Sequence, residues 1–209
     1  MTERVIAYID GYNLYHGMMA AGLRSSRWLD LFGLCGSLLR PDQRLDQVRY
    51  FTAPTPKSQA KAKRQSLYWD ALEAHGGIVD IVKGYYLSKT VSCRACGASW
   101  KSQEEKKTDV NISLAMFEDA VDNLFDVALL VSGDSDLTPP ITTVRRRYPQ
   151  KRVIVATPPK RGSTELKLHA DAYFTIPGRR FRSNRLPSTV VTARGVRLTA
   201  PQGWLPPGV

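Results

Sequence analysis

Cysteine is scarce. Three residues, Cys35, Cys93 and Cys96, in a chain of 209 do not make a disulfide framework for a domain of this size. Histidine is as rare: His16, His75 and His169 are scattered, and each reads as a structural or surface residue. No apolar run is long enough to span a bilayer, and the start MTERVIAYIDG lacks the layout of a secretory signal. The expectation is therefore a soluble cytoplasmic protein. Acids are outnumbered, with 19 Asp and Glu against 30 Lys and Arg, a formal net charge of +11. Such an excess attracts polyanions through long-range fields and counterion release. It does not separate RNA from DNA, and it is silent on chemistry.

The 43% hydrophobic content suffices for one sizeable core, and the length suggests a single domain with extra chain. Strand-like runs alternate with helix-period segments. Strands are expected at 4–9, 47–52, 78–82, 127–131, 153–156 and 173–176. Helices are expected at 28–39, 57–75, 109–124, 137–148 and 164–169, and in 109–124 Val110, Leu114, Phe117 and Val121 share one side. Pro139-Pro140 falls in a first turn, where proline is tolerated. Val127 to Val131 is a continuous apolar run of the kind buried on both faces. This alternation predicts an α/β domain with a mainly parallel sheet. Two pieces stand outside it: a small cysteine-containing insertion at about 85–104, and a Pro/Arg-rich basic tail, 178–209, expected to be extended or partly disordered. Within the tail, 189–199 alternates as a hairpin would around Arg194-Gly195.

In open α/β sheets, sites form outside the carboxyl ends of the strands. Asp10 follows the first strand, and Asp134 and Asp136 follow the fourth, in Ser132-Gly133-Asp134-Ser135-Asp136. Carboxylates crowded past hydrophobic strands call for a cation, and hard oxygen donors suit Mg²⁺ or Mn²⁺. Each acid also has a structural reading. Asp10-Gly11 makes a turn, Asp136 caps a helix starting at Leu137, and Asp109 is a first-turn acid favoured by the helix dipole. Together they place acids at element ends in three segments of a basic chain. A basic rim around an acidic centre is what a metal-dependent nuclease needs.

The three segments Asp10-Gly11-Tyr12-Asn13, Glu105-Lys106-Lys107-Thr108-Asp109-Val110 and Ser132-Gly133-Asp134-Ser135-Asp136-Leu137 resemble, in order, the motifs of the NYN domain family. This family belongs to the PIN-like nuclease superfamily, and the LabA-like bacterial proteins are the most similar subgroup. The likeness runs from about residue 3 to residue 177, and Leu168 to Phe174 is similar to the family's closing segment. The resemblance implies a three-layer αβα, Rossmann-like domain over 1–177 and Mg- or Mn-dependent ribonuclease activity. It implies Asp10, Asp109, Asp134 and Asp136 as metal ligands, Asn13 as an orienting residue, and Ser132 as a partner of a ligand or a metal-bound water. Asn13 has an equal claim as the cap of a helix beginning at Leu14. Leu137 stands where the family often has an aromatic residue, a change of packing rather than chemistry.

Lys57, Lys61, Arg64, Lys106, Lys107 and Arg145-Arg146-Arg147 are candidate phosphate contacts, with solvated helix faces as the ordinary alternative. Lys106 and Lys107 adjoin Asp109 and carry the stronger claim. Tyr12, Tyr15, Tyr85 and Tyr86 are candidates to stack on unpaired bases, or else belong to the core. Cys93-Arg94-Ala95-Cys96-Gly97 looks like half of a zinc site, which needs four ligands. Cys35 with a histidine, a second subunit, or a knuckle that has lost its metal would each account for it. RNA is the expected partner, DNA is not excluded, and pairing into a homodimer is compatible with the family. Two rivals remain: a catalytically silent RNA-binding module, and a haloacid-dehalogenase-like phosphatase using Asp134 in Asp134-Ser135-Asp136-Leu137-Thr138.

Overall fold

The computed structural model describes residues 2–55 and 58–208, with backbone alone at Ser88 and 101–106. In chain order it forms β1 (Glu3–Asp10), α1 (Gly11–Ala20), α2 (Leu31–Gly36), β2 (Gln43–Thr52), α3 (Gln59–His75) and β3 (Val79–Lys83). A hairpin of β4 (Tyr85–Ser92) and β5 (Ser99–Lys106) follows. Then come α4 (Thr108–Val121), β6 (Val127–Val131), α5 (Thr138–Arg147), β7 (Arg152–Thr157), α6 (Thr164–His169) and β8 (Ala172–Thr175). The chain closes with α7 (Gly178–Ser183), β9 (Thr189–Val191) and β10 (Arg197–Thr199).

Six strands form one parallel sheet in the order β3-β2-β1-β6-β7-β8. The period of two along β1 sends Val5, Ala7 and Ile9 into one buried cluster and Ile6 and Tyr8 into another. The first face is covered by α1, α2 and α3, through Leu14, Met18, Leu31, Leu34, Trp69 and Leu72. The second is covered by α4, α5 and α6, through Ile112, Met116, Ile141, Val144 and Leu166. The result is a three-layer αβα fold, as the alternation of elements predicts. From β1 the chain steps outward to β2 and β3 on one side, and from β6 to β7 and β8 on the other. The β1/β6 boundary is therefore the topological switch point, where such sheets bind their ligands.

Several expectations need correction. The helix expected over 28–39 is confined to Leu31–Gly36, capped by Asp30, whose side chain accepts from Gly33 N–H. On α4, Val110, Leu114 and Val121 share a side as expected, but that side faces outward, each residue more than half exposed, while Ile112, Met116 and Ala120 meet the sheet. Both stripes of α4 are apolar, so periodicity alone does not choose between them. The cysteine-containing insertion forms an eight-rung antiparallel hairpin. The tail is neither extended nor disordered over 178–208. It folds as α7 and the β9/β10 hairpin, and buries Phe181, Leu186, Val190 and Leu198 in the α1–α3 core. Four apolar side chains among the prolines and arginines suffice to dock it. Among the described residues no helix is long and apolar enough to cross a membrane.

Candidate metal centre

Asp10 is the last residue of β1 and the N-cap of α1. Its Oδ1 accepts the Asn13 N–H at 2.9 Å, and its Oδ2 accepts the Ser132 hydroxyl at 2.8 Å. Ser132, just past β6, also accepts the Asp134 N–H on its Oγ at 3.1 Å. Asp134 in turn caps the short 3₁₀ turn Ser135–Leu137, its Oδ1 accepting the Asp136 N–H at 3.0 Å. A second tie crosses the switch point, from Gly133 N–H to Asn13 Oδ1 at 3.1 Å. Asn13 is thus not the helix cap. Asp10 takes that role because it holds the extended backbone at the strand end, and the Asn13 side chain is left to bind the β6 loop.

Glycine is required on both sides of this junction. A Cβ at Gly11 would lie 2.7 Å from the Phe51 carbonyl oxygen, and one at Gly133 only 1.7 Å from that of Arg161. A side chain at Gly11 would collide with the end of β2, and one at Gly133 with the loop between β7 and α6.

Asp109 arrives from the first turn of α4. Asp10, Asp109 and Asp134 each offer a carboxylate oxygen, and these oxygens lie within 4.8 Å of one another. Asp10 is 4% exposed. Like charges this close, one of them buried, are costly unless a cation sits among them. The donor set is all hard oxygen and Asp10 is fixed by two hydrogen-bond donors, so the residues fit Mg²⁺ or Mn²⁺. Asp136 is not part of the group: its backbone N–H supports Asp134 and its side chain is exposed. Three of the four expected acids converge.

The helix that carries Asp109 is pinned independently. Tyr8 donates to Asp119 Oδ2 at 2.7 Å, and Arg49 pairs with Asp119 Oδ1. Burial pushes the Asp119 carboxyl up, against the Tyr8 hydroxyl and the Arg49 guanidinium, which favour its charged form. This buried link between α4, β1 and β2 escapes sequence reading, because a lone Asp on a helix and a lone Arg on a strand carry no pairing signal.

Other candidates are placed variously. Lys107, two residues before Asp109, is exposed in a left-handed backbone (φ 73°), with its ammonium 5.0 Å from the Tyr85 ring centre. The side chains of Glu105 and Lys106, and Lys57 as a whole, lie outside the described residues. Tyr12, Tyr15 and Tyr85 are 48%, 47% and 43% exposed and so are not core. Arg145 is engaged by Asp171 and the His169 carbonyl, while Arg146 and Arg147 are exposed. Cys93 and Cys96 sit at the hairpin tip, and among the described residues neither joins a three-ligand metal group. Cys35 is buried in the α1–α3 core. The phosphatase reading leaves the convergence of Asp10 and Asp109 on Asp134 without explanation.

Comparison with known proteins bears on the family and on the fold. The chain is 29% identical over 177 residues to 6-hydroxy-3-succinoylpyridine 3-monooxygenase HspA of Pseudomonas putida (strain DSM 28022 / S16), covering 68% of this chain. It spans only 55% of that relative's length. The crystal structure of a protein of unknown function from Vibrio parahaemolyticus RIMD 2210633 superposes with a TM-score of 0.56 at 22% identity, covering 84% of this chain and 94% of the other. That likeness supports the fold alone. The sequence profile of the NYN domain matches residues 4–177, and with the three-layer sheet and the acid triad at its switch point, the chain belongs to the NYN domain family.

Proposed function

We propose that this protein is a metal-dependent ribonuclease that hydrolyses phosphodiester bonds of single-stranded RNA in the cytoplasm. The observation that carries the reading is the convergence of the Asp10, Asp109 and Asp134 carboxylates within 4.8 Å at the switch point of a basic protein. These three residues would hold Mg²⁺ or Mn²⁺, which when bound lowers the pKa of a water and neutralises charge developing on the phosphate. Ser132 and Asn13 fix Asp10 so that its carboxylate is oriented before substrate arrives. The Asp136 N–H does the same for Asp134, and the Asp136 carboxylate lies outside the innermost set. Lys107 stands at the rim beside Asp109, and with Lys106 and Tyr12 it receives the strand.

The test is cleavage of single-stranded RNA with Mg²⁺ or Mn²⁺, with single-stranded DNA alongside. Wild type should cut RNA, Asp10→Asn, Asp109→Asn and Asp134→Asn should lose cutting, and Asp136→Asn should keep more of it. Wild type that cuts no better than Asp134→Asn ends the nuclease reading; wild type that binds RNA without cutting it is the silent module. Pairing of two copies through the outward Val110/Leu114/Val121 stripe of α4 is part of the proposal, since such exposed apolar stripes mark interaction surfaces. Leu114→Arg should then shift the mass in solution from dimer to monomer.

A second reading rests on the Pseudomonas putida relative, named for a monooxygenase acting on 6-hydroxy-3-succinoylpyridine. On that reading the substrate is a small aromatic acid. Oxygen- and reductant-dependent turnover of the hydroxypyridine, without RNA cleavage, would establish it.

A further inference from the structure

Between α1 and α3 lies a groove of about 280 Å³. Its wall includes Gly11 and Tyr12, the residues that follow Asp10 in the chain, while Asp10, Asp109 and Asp134 themselves do not line it. Its walls are of two kinds. Tyr12, Tyr15 and Tyr86 present aromatic rings, with His16 behind Tyr12 at 4.2 Å between ring centres. Arg27, Lys61 and Arg64 present positive charge, and no described residue lining the groove is acidic.

The C-terminal segment supplies part of this wall. Trp204 packs edge-on against Tyr68 and Trp28, at 6.0 and 6.4 Å between ring centres. Arg27 lies over the Trp204 ring at 5.2 Å and donates to the Gly203 carbonyl at 2.9 Å. A segment with no part in the six-stranded sheet thus helps to wall the groove.

Half-exposed tyrosines beside cations select a planar ring joined to an anionic group. The volume sits just below the usual range of small-ligand pockets, about 300–1,000 Å³, so it takes one such unit and not a duplex. A ring still paired in a helix could not enter. We propose that the groove is a subsite for one unpaired nucleotide of the strand held at the triad. Its base stacks on Tyr12 and Tyr15, and its flanking phosphates face Lys61 and Arg64. This inference rests on the ribonuclease reading for the nature of the strand, and it adds where and how the strand is gripped. It also gives the C-terminal segment a part in substrate binding.

The test is binding of fluorescently labelled single-stranded RNA in EDTA, so that affinity is read without cleavage. Tyr15 and Arg64 are exposed, so Tyr15→Ala and Arg64→Ala should fold, and circular dichroism checks that they do. Tyr15→Ala should weaken binding about 5- to 150-fold, the range that stacking of one base supports. A single abasic position walked along the RNA should reproduce that loss at one place in wild type. It should add little in Tyr15→Ala, as coupled partners do. Arg64→Ala should lower the salt dependence by about one counterion.

Unchanged affinity in both variants, or a flat abasic scan, overturns the subsite. Saturable binding of nicotinate, a free pyridine carboxylate, that RNA does not displace also overturns it. The two readings separate cleanly. Wild type that binds in this pattern but does not cut removes the nuclease and keeps the subsite. Wild type that cuts RNA with an unchanged KM in Tyr15→Ala keeps the nuclease and removes the subsite.

Discussion

Replacing Ser132 by alanine removes one oxygen from the point where β1 and β6 are joined. That oxygen donates to Asp10 Oδ2 at 2.8 Å and accepts from the Asp134 N–H at 3.1 Å. Ser132 is fully buried and Asp10 nearly so, so bulk water does not take over either bond. A hydrogen bond to a charged group contributes about 1.5–3 kcal/mol, and one between neutral groups about 0.5–1.5 kcal/mol. The two together give an expected loss of about 2–4.5 kcal/mol. For a chain of this size that lowers the melting temperature by about 4–18 °C. Thermal and urea unfolding in EDTA measure it, with Ser135→Ala as control, because Ser135 is exposed and should change stability by less than about 0.5 kcal/mol. The same variant should weaken Mn²⁺ binding, followed by calorimetry, by about 10- to 100-fold, as losing a ligand's supporting partner does. If Ser132→Ala melts with Ser135→Ala and binds Mn²⁺ as wild type does, the hydroxyl does not hold Asp10 and the reasoning fails.

Three further outcomes are expected. Gly133→Ala places a Cβ 1.7 Å from the Arg161 carbonyl and should cost at least the about 1–3 kcal/mol of ordinary overpacking, whereas Gly36→Ala, with open space around it, should be neutral or stabilising; equal melting temperatures would contradict this. Asp126 accepts from the Arg4 guanidinium, which with the Arg4 backbone N–H holds its carboxyl below the usual range. The stability from this pair is present above the ordinary carboxylate pKa and lost as pH falls through the lowered folded value. Asp126→Asn should therefore lower the melting temperature near neutral pH and converge with wild type in strong acid. The Cys93 thiol is held below its usual range by the backbone N–H groups of Cys96 and Ala95, while burial pushes Cys35 well up. Alkylation followed by mass spectrometry should label Cys93 first and Cys35 only after unfolding; equal rates would refute the assignment.

Much of the fold is legible in the sequence for one reason. Strands of a parallel sheet covered on both faces read as unbroken apolar runs, and β1 and β6 are of that kind. Acids placed where those runs stop mark Asp10 and Asp134 directly. Asp109 is different, because an acid in a first helical turn needs no function, and only the folded chain brings it to the other two. The exchange of roles between Asp10 and Asn13 is also invisible in sequence. Both are good capping residues three positions apart, and the end of β1 decides which one keeps an extended backbone. On α4 two apolar stripes compete, and tertiary packing rather than periodicity selects the one bearing Ile112 and Met116. The tail misleads because its prolines and arginines outweigh, in composition, the few apolar residues that dock it.

The triad draws residues 10, 109 and 134 from three separate elements, so something besides a cation must hold them together against their own repulsion. Two of the three are fixed by the β1/β6 junction, where Ser132 and Asn13 tie the strand ends with backbone and side-chain hydrogen bonds. The third is carried by α4, whose position is set by Ile112 and Met116 in the core and by the Tyr8–Asp119–Arg49 link. None of these contacts involves a metal ligand of α4. The carboxylates are therefore assembled by the fold itself, and a cation that binds them stabilises the native state by mass action rather than creating it. Preorganisation of this kind is what electrostatic catalysis requires.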